Sequence, residues 1–189
     1  MTKAALRKIY KEKRELISPL EKSKLTDLLL INFQKIQLPF IRCVHTYMAM
    51  HSKNEIDTQQ ITRYLKFRNP GLIICVPKIN ITTLQMENII YTEDTGMIIN
   101  NFGIEEPLTG DKINAGHIDL VLTPLLTFDK KGFRVGFGKG FYDKFFTQCR
   151  SDVIKTGLSF FEPTEIIEDT NQFDIPLNYC VTPKNIYKF

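Results

Sequence analysis

Glycines, charged residues and aromatic residues are concentrated in one short segment of the chain, GFRVGFGKGFYD at residues 132–143. Gly136, Gly138 and Gly140 alternate with larger residues, and glycine lets the backbone adopt positive φ while leaving N–H groups unshielded. Such N–H groups can converge on an anion, and a helix beginning near Phe141 would add unsatisfied amides of its own. The segment therefore predicts a phosphate-binding loop.

Charged side chains of the same segment could complete such a site. Arg134 and Lys139 bracket the loop as candidate counter-charges, and Asp143 is a candidate ligand for a Mg²⁺ ion that bridges phosphate oxygens. The GxxxxGK[ST] pattern of a P-loop is absent. The spacing alone also fits a tight turn in which Phe137 and Phe141 belong to the core and Asp143 only favours the helix start.

The bulk composition is that of a globular protein. The chain has 189 residues, of which 43% are hydrophobic and 24% charged, so one domain spanning residues 1–189 is predicted. The net charge of +4 suits anionic ligands without indicating a nucleic-acid partner. The absence of a long apolar run and of a signal-peptide pattern predicts a cytoplasmic protein without a membrane partner. The four cysteines are too widely spaced to indicate a disulfide framework or a zinc site.

The elements that must position the loop follow from apolar periodicity and capping signals. A helix is predicted over about residues 2–17, and another begins at Pro19, after an N-cap at Ser18 and with Glu21 in capping-box position. Strands are predicted at 43–50 and 72–77 with a helix at 57–67 between them, which makes a βαβ unit with parallel strands.

Later elements continue the alternation of strands and helices. Residues 119–128 are apolar on both faces, as in a central strand covered by helices. The alternation predicts an α/β fold, a three-layer sandwich with a mixed, mostly parallel central sheet. The other predicted segments are short pairings and loops within 82–90 and 97–107, a helix at 141–149, and strands at 153–160 and 179–183.

A longer stretch around the loop resembles a known family. DLVLTPLLTFDKKGFRVGFGKGFYDKF, residues 119–145, is similar to the signature of the 5-formyltetrahydrofolate cyclo-ligases, also called methenyltetrahydrofolate synthetases. Three further matches occur in order along the chain, at KAALR (3–7), YMAMHSKNEID (47–57) and FDIPL (173–177). The resemblance therefore covers nearly the whole chain and implies the α/β architecture that this family shares with sugar-phosphate isomerases and CoA-transferases.

The resemblance also implies an ATP site, a reduced-folate site and a Mg²⁺ site. The implied ATP-binding residues are Lys3, Ala4, Ala5, Leu6, Arg7, Arg134, Val135, Gly136, Phe137, Gly138, Lys139, Gly140, Phe141 and Tyr142. The implied folate-binding residues are Met50, Glu55, Phe137, Gly138, Lys139, Gly140 and Phe141. Asp143 and Asp174 match the metal ligands, and Arg134 and Lys139 are the candidate catalytic residues.

Several of these residues have simpler interpretations when they are read alone. Lys3 and Arg7 lie at i and i+4 on one helix face, which by itself indicates a solvated surface. Met50 is typical of a core residue, Glu55 of a surface charge before a helix, and Asp174 of a turn before a proline. Only the resemblance favours their binding roles.

This sequence departs from the family pattern at two positions of the loop. Phe137 stands where many relatives have tyrosine or arginine, and Phe141 stands where tyrosine is common. A hydroxyl or guanidinium hydrogen bond is therefore missing at these positions. The contacts to the folate are expected to differ, whereas nucleotide contacts that depend on backbone and glycine are expected to persist.

The resemblance implies an enzyme with small-molecule substrates, acting as a monomer. Its reaction converts 5-formyltetrahydrofolate and ATP to 5,10-methenyltetrahydrofolate, ADP and phosphate. Two alternatives remain open from the sequence. The stretch KGFRVGF, residues 131–137, is similar to the basic and aromatic core of an RNP1 strand, which would indicate an RNA-binding module. The shared architecture would also fit a sugar-phosphate isomerase or CoA-transferase relative.

Overall fold

The computed structural model describes residues 1–80, 83, 85–100 and 103–189. Parts of the predicted stretches at 82–90 and 97–107 therefore lie outside the described residues. The helices within the described ranges are α1 (Lys3–Glu15), α2 (Pro19–Phe33), α3 (Gln59–Arg68) and α4 (Phe141–Phe146), with 3₁₀ turns at His51–Lys53 and Ala115–His117. The strands are β1 (Cys43–His45), β2 (Ile73–Asn80), β3 (Gln85–Ile90), β4 (Met97–Ile99), β5 (Glu105–Pro107), β6 (Leu120–Pro124), β7 (Thr127–Phe128), β8 (Arg134–Val135), β9 (Ile154–Leu158), β10 (Tyr179–Val181) and β11 (Ile186–Lys188).

A seven-stranded sheet forms the centre of the fold, in the order β11-β10-β9-β6-β1-β2-β3. The four inner pairings are parallel, and the outer pairs β2–β3 and β10–β11 are antiparallel. Val44 in β1 lies opposite Ile74 of β2 on one side and Leu120 of β6 on the other. The predicted mixed, mostly parallel sheet and the βαβ unit are therefore confirmed.

Apolar layers cover both faces of this sheet. Successive side chains of a strand point to opposite faces, so Val44 and Cys43 belong to different layers. The first layer joins Val44, Leu120 and Leu122 to Leu29 and Phe33 of α2 and to Ile61 and Leu65 of α3. The second joins Cys43, Cys75 and Val121 to Phe145 and Phe146 of α4. This arrangement is the predicted three-layer sandwich.

The predicted helix starts are confirmed by their caps. The hydroxyl of Ser18 accepts a hydrogen bond from the amide of Glu21 at the start of α2, and Thr2 does the same for Ala5 at the start of α1. No helix in the described ranges has both the length and the apolar character needed to cross a bilayer. A local signal, the Thr2 cap, therefore sets where α1 begins.

Four predicted strands are shorter than expected: 153–160 and 179–183 shorten to β9 and β10, and 43–50 and 119–128 show larger differences. The segment 43–50 is a strand only to His45, because the chain then leaves the sheet and Met50 is held by Glu55. The segment 119–128 is interrupted after Pro124 and resumes as β7, which pairs with β8 in a separate hairpin. Apolar character on both faces predicted burial correctly but did not show where the chain changes sheets.

The centre of the sheet depends on a glycine at position 157. A Cβ atom there would lie 2.6 Å from Leu125 Cδ2 and 2.6 Å from Leu177 Cδ1. We expect Gly157→Ala to lower the free energy of unfolding in urea by about 1–3 kcal/mol, the usual effect of overpacking. Gly96→Ala is the control, because a Cβ there has no heavy atom within 4 Å. An unchanged urea midpoint for Gly157→Ala would show that the core can absorb the methyl group.

Candidate active site

A cavity of about 460 Å³ opens where β1 and β6 end. The chain runs from β1 outward to β2 and β3 on one side of the sheet, and from β6 to β9 and β10 on the other. Ligands of open α/β sheets bind at the carboxyl ends of the strands where the strand order reverses in this way. Tyr47 and Met48, which follow β1, and Pro124, which ends β6, line the cavity.

The glycine loop, defined here as residues 136–140, forms one wall of this cavity. Gly138 and Gly140 have positive φ, 93° and 69°, and Gly140 directly precedes α4. None of the five amides of the glycine loop donates a hydrogen bond to an acceptor in the described part of the chain. The loop therefore carries peptide N–H groups available to a ligand, as its glycine spacing predicted.

Helix α1 holds the glycine loop in place. The Nε of Arg7 donates to the carbonyl oxygen of Gly136 at 2.9 Å. A Cβ atom on Gly138 would lie 3.1 Å from the Cζ of Arg7, so the guanidinium packs directly against the backbone of that residue. Leu6 anchors the same helix in a small apolar cluster with Val135 and Ile167. Local capping and apolar contacts thus bring the amino terminus of the chain to a loop more than a hundred residues away.

The charged groups at the α1 end of the cavity form two ion pairs. Lys3 Nζ donates to both carboxylate oxygens of Asp174 at 2.5 Å. Arg134 Nη2 donates to Asp143 Oδ1 at 2.9 Å, and its Nη1 donates to the carbonyl oxygen of Ile175 at 2.6 Å. Burial lowers the pKa of Arg134, and Asp143 opposes that shift. Each cation is therefore held beside a carboxylate within the cavity wall.

Lys139 differs from these paired cations. Its side chain lies at the tip of the glycine loop, is exposed, and lines the cavity. Within the described ranges it forms no salt bridge or side-chain hydrogen bond. Its charge is thus available to an anionic ligand without breaking an existing contact.

Glu55 and Met50, which also line the cavity, are joined by a hydrogen bond. Glu55 is only 3% exposed, and its Oε2 accepts a hydrogen bond from the Met50 amide at 2.8 Å. Burial raises the pKa of Glu55, and the Met50 amide partly offsets this by stabilising the carboxylate. The simpler interpretation of Glu55 as a surface charge is wrong, because the loop after β1 folds the carboxylate back onto its own backbone.

Most of the residues implied by the resemblance meet in this one cavity. Three do not line it: Ala4 is exposed, Ala5 is partly exposed and Leu6 is buried in the core. Those that line it are Lys3, Arg7, Met50, Glu55, Arg134, Val135, Gly136, Phe137, Gly138, Lys139, Gly140, Phe141, Tyr142, Asp143 and Asp174. The lining residues that the sequence did not predict are Tyr47, Met48, Lys53, Pro77, Ile79, Met86, Ile104 and Pro124.

Two carboxylates of the cavity lining could act as ligands for Mg²⁺. Asp143 and Asp174 line the same cavity, and two carboxylates are a usual protein share of a site completed by phosphate and water oxygens. Asp143 Oδ2 accepts no hydrogen bond from the described residues. Asp174 is held by Lys3, so Lys3 would have to exchange its partner when a metal binds. The described residues contain no cluster of three or more His, Cys, Asp or Glu side chains suited to a metal. The pair fits a metal shared with phosphate.

The fold and the cavity together define an α/β protein with a cavity and a glycine loop at the switch point of its sheet. The sequence profile of the 5-formyltetrahydrofolate cyclo-ligase family matches residues 1–183. The chain therefore belongs to the 5-formyltetrahydrofolate cyclo-ligase family.

Named relatives and a solved structure agree with this assignment. The 5-formyltetrahydrofolate cyclo-ligase of Mycoplasma pneumoniae is 30% identical, covering 96% of this chain and 98% of the relative. That of Mycoplasma genitalium is 29% identical, covering 94% and 97%. The 5,10-methenyltetrahydrofolate synthetase of Aquifex aeolicus superposes with a TM-score of 0.79 at 26% identity, covering 100% of this chain and 93% of that structure. Neither the RNA-binding alternative nor the isomerase or transferase alternative is favoured.

Proposed function

We propose that this cavity catalyses the ATP-dependent conversion of 5-formyltetrahydrofolate to 5,10-methenyltetrahydrofolate, with release of ADP and phosphate. The proposal rests on the backbone N–H groups of the glycine loop, which donate no hydrogen bond to the described residues. They line the same cavity as Lys3, Arg7 and Lys139. A triphosphate has the charge that such a wall would bind.

The nucleotide is proposed to bind at the α1 end of the cavity. The amides of the glycine loop would donate hydrogen bonds to phosphate oxygens, and Lys139 would neutralise charge that develops during transfer. Arg7 keeps the loop in its binding conformation through its contact with Gly136. Arg134 supplies further positive charge while it holds Asp143 in place.

The reduced folate is proposed to bind toward Met50 and Glu55. The cavity lining includes apolar side chains, among them Pro77, Ile79 and Met86, which suit a flat pterin ring. The Glu55 carboxylate can accept hydrogen bonds from pterin N–H groups, and charge-assisted bonds of this kind are strong. Phe137 and Phe141, which face the same cavity, contribute ring contacts in place of hydroxyl groups.

The chemistry makes the formyl oxygen a better leaving group. The γ-phosphoryl group passes from ATP to the formyl oxygen, the bond to ADP breaks, and an imidate-like phosphate forms. N10 then attacks the same carbon, the carbon–oxygen bond breaks, and phosphate departs with that oxygen while the N10 proton is lost. The protein contributes position and electrostatic stabilisation, as is general for phosphoryl transfer.

Asp143 and Asp174 are the residues proposed to hold Mg²⁺. When bound, the metal would neutralise charge on the phosphate oxygens. Lys3 would then leave Asp174 and pair with phosphate instead. This change would free the Asp174 carboxylate for the metal and bring a positive charge to the phosphate. The monomeric state is a prediction. The single-domain organisation and the cytoplasmic location stay predictions.

An absorbance assay for the methenyl product tests the proposed function. The wild-type chain is incubated with 5-formyltetrahydrofolate in the presence and absence of ATP and of Mg²⁺. We expect product only when nucleotide is present, and a loss of rate when Mg²⁺ is chelated. Product formation at the same rate without nucleotide would refute the proposal.

A further inference from the structure

We propose that Arg14 is a positioning residue for the reduced folate, because it holds the ring of Phe137 in the cavity lining and places its positive charge beside the small chamber that Glu55 lines. The inference rests on the proposed function and adds a residue that neither the glycine segment nor the family resemblance indicated. Arg14 lies near the carboxyl end of α1, on the same ridge as Arg7 and Lys11, at spacings of seven and three residues.

Packing alone does not account for an arginine at this place. Arg14 is only 5% exposed, and its Nε has no hydrogen-bond partner among the described residues. The side-chain hydrogen bond that Arg14 forms there, from Nη1 to the carbonyl oxygen of Leu125, is long at 3.4 Å. Arg14 forms no salt bridge with a carboxylate of the described residues. A buried cation without an ion pair destabilises a fold. We therefore look for a role of Arg14 in its contacts with neutral or more distant groups.

The first neighbour is the ring of Phe137 in the glycine loop. The Arg14 guanidinium carbon lies 5.4 Å from the ring centroid, and Lys11 Nζ lies 5.6 Å from it. Contacts at this distance between a cation and an aromatic ring are attractive, and more so when they are desolvated. Phe137 lies between Gly136 and Gly138, which Arg7 contacts. The ridge of α1 therefore holds the ring and the loop backbone as one unit.

The second neighbour is Glu55. Arg14 and Glu55 line a small chamber of about 10 Å³ together with Tyr47, and Tyr47 and Glu55 also line the main cavity. The chamber has room for about one water molecule between polar groups. The positive charge of Arg14 lowers the pKa of Glu55 and thus opposes the effect of burial.

Other groups also act on Glu55. Lys22 of α2 lowers its pKa as Arg14 does, but Arg14 has the larger effect of the two. The Met50 amide donates to the carboxylate, and the phenols of Tyr47 and Tyr142 lie near enough for Glu55 to raise their pKa values. Among the charged groups, Arg14 therefore does most to favour the ionised form of Glu55, the form that accepts charge-assisted hydrogen bonds from a pterin.

The test compares Arg14→Met, Arg14→Lys and Lys8→Met with the wild-type enzyme, measuring kcat and KM for each substrate across pH. We expect Arg14→Met to raise the KM for 5-formyltetrahydrofolate roughly 10-fold, the scale of a desolvated cation–π contact, with little change in the KM for ATP. Loss of the positive charge raises the pKa of Glu55, so the acid limb of kcat/KM for folate should move to higher pH. Arg14→Lys should restore the acid limb, because it keeps the charge, but should restore the KM only in part.

Lys8→Met is the matched control, because Lys8 is an exposed cation of the same helix. It should leave both KM values and the pH profile unchanged. A double-mutant cycle with Phe137→Leu should show that the two effects on KM are not additive, as expected if Arg14 acts through that ring. If Arg14→Met does not fold, Arg14→Lys is the variant to measure. A raised KM for the folate, with the acid limb of kcat/KM at its wild-type pH, would then support the inference.

The possible failures are distinct. A wild-type chain that forms no product with ATP would refute the proposed function. An active wild-type enzyme whose folate KM and acid limb are the same in the Arg14 variants would overturn the inference alone. Equal rises in the KM for folate and for ATP would also overturn it, because they would indicate a general disturbance of α1.

Discussion

Lys139→Ala is expected to lower kcat/KM for ATP by about 100-fold to 1,000-fold, the usual effect of removing one group that stabilises transition-state charge. Lys139 is exposed at the tip of the glycine loop and lines the cavity. Unlike Lys3 and Arg134, it is not held by a carboxylate of the described residues. Removal of its side chain should therefore leave the fold intact, while the phosphate of bound ATP loses an unpaired positive charge. Steady-state kinetics of product formation at varied ATP would measure the effect.

The control for this variant is Lys144→Ala. Lys144 is an exposed cation in α4, close in sequence to the glycine loop, but it does not line the cavity. It removes the same charge from the chain and should change kcat/KM by less than about 3-fold, because exposed charges farther from a ligand are screened by salt. Similar losses in both variants would mean that Lys139 acts only through the net charge of the protein.

The glycine segment was the part of the site that sequence could predict best. Its features are local: alternating glycines set the backbone, and the first turn of α4 begins at Phe141, where the pattern predicted it. Ser18 was equally predictable as a cap, because capping depends on neighbours within one turn. The features that the sequence predicted best are therefore those set by residues within one or two turns of each other.

The pairing of charges could not be predicted from sequence in the same way. Lys3 and Asp174 lie 171 positions apart and meet only because α1 docks beside the segment that follows β9. Nothing in the spacing of either residue indicates this pair. Arg134 likewise looked like a free counter-charge, but the fold buries it against Asp143 and the carbonyl oxygen of Ile175. Long-range contacts of this kind depend on topology, which short patterns do not encode.

The apolar wall of the cavity was missed for a different reason. Pro77, Ile79 and Met86 belong to β2 and β3 and have the composition of ordinary core residues. A side chain that lines a pterin-sized cavity and one that fills a core have the same apolar character. Only the geometry of the sheet edge separates them, since β2 extends past the end of β1 and so leaves its last residues facing the cavity.

Gly138→Ala is expected to weaken ATP binding at least about 10-fold, a loss of roughly 1.4 kcal/mol in binding free energy. The residue has a φ of 93°, which an L side chain adopts with strain, and its new methyl group would lie 3.1 Å from Arg7 Cζ. Arg7 would have to shift by a few tenths of an ångström, which would disturb its hydrogen bond to Gly136 and, together with the backbone strain, the alignment of the loop amides. Titration calorimetry with ATP, alongside unfolding in urea, would measure binding and stability separately.

Gly71→Ala separates the effect of backbone strain from the effect on the site. Gly71 has a similar φ of 81°, lies before β2 outside the cavity lining, and has no heavy atom within 4 Å of an added Cβ. Both variants should lose about 1–2 kcal/mol of stability, the strain of a left-handed non-glycine residue. Only Gly138→Ala should lose ATP affinity, because only there does the strained peptide carry the amides that face the phosphate. Equal ATP affinity in the two variants would show that the conformation of the glycine loop does not determine nucleotide binding, and the phosphate would then have to be held by side chains alone.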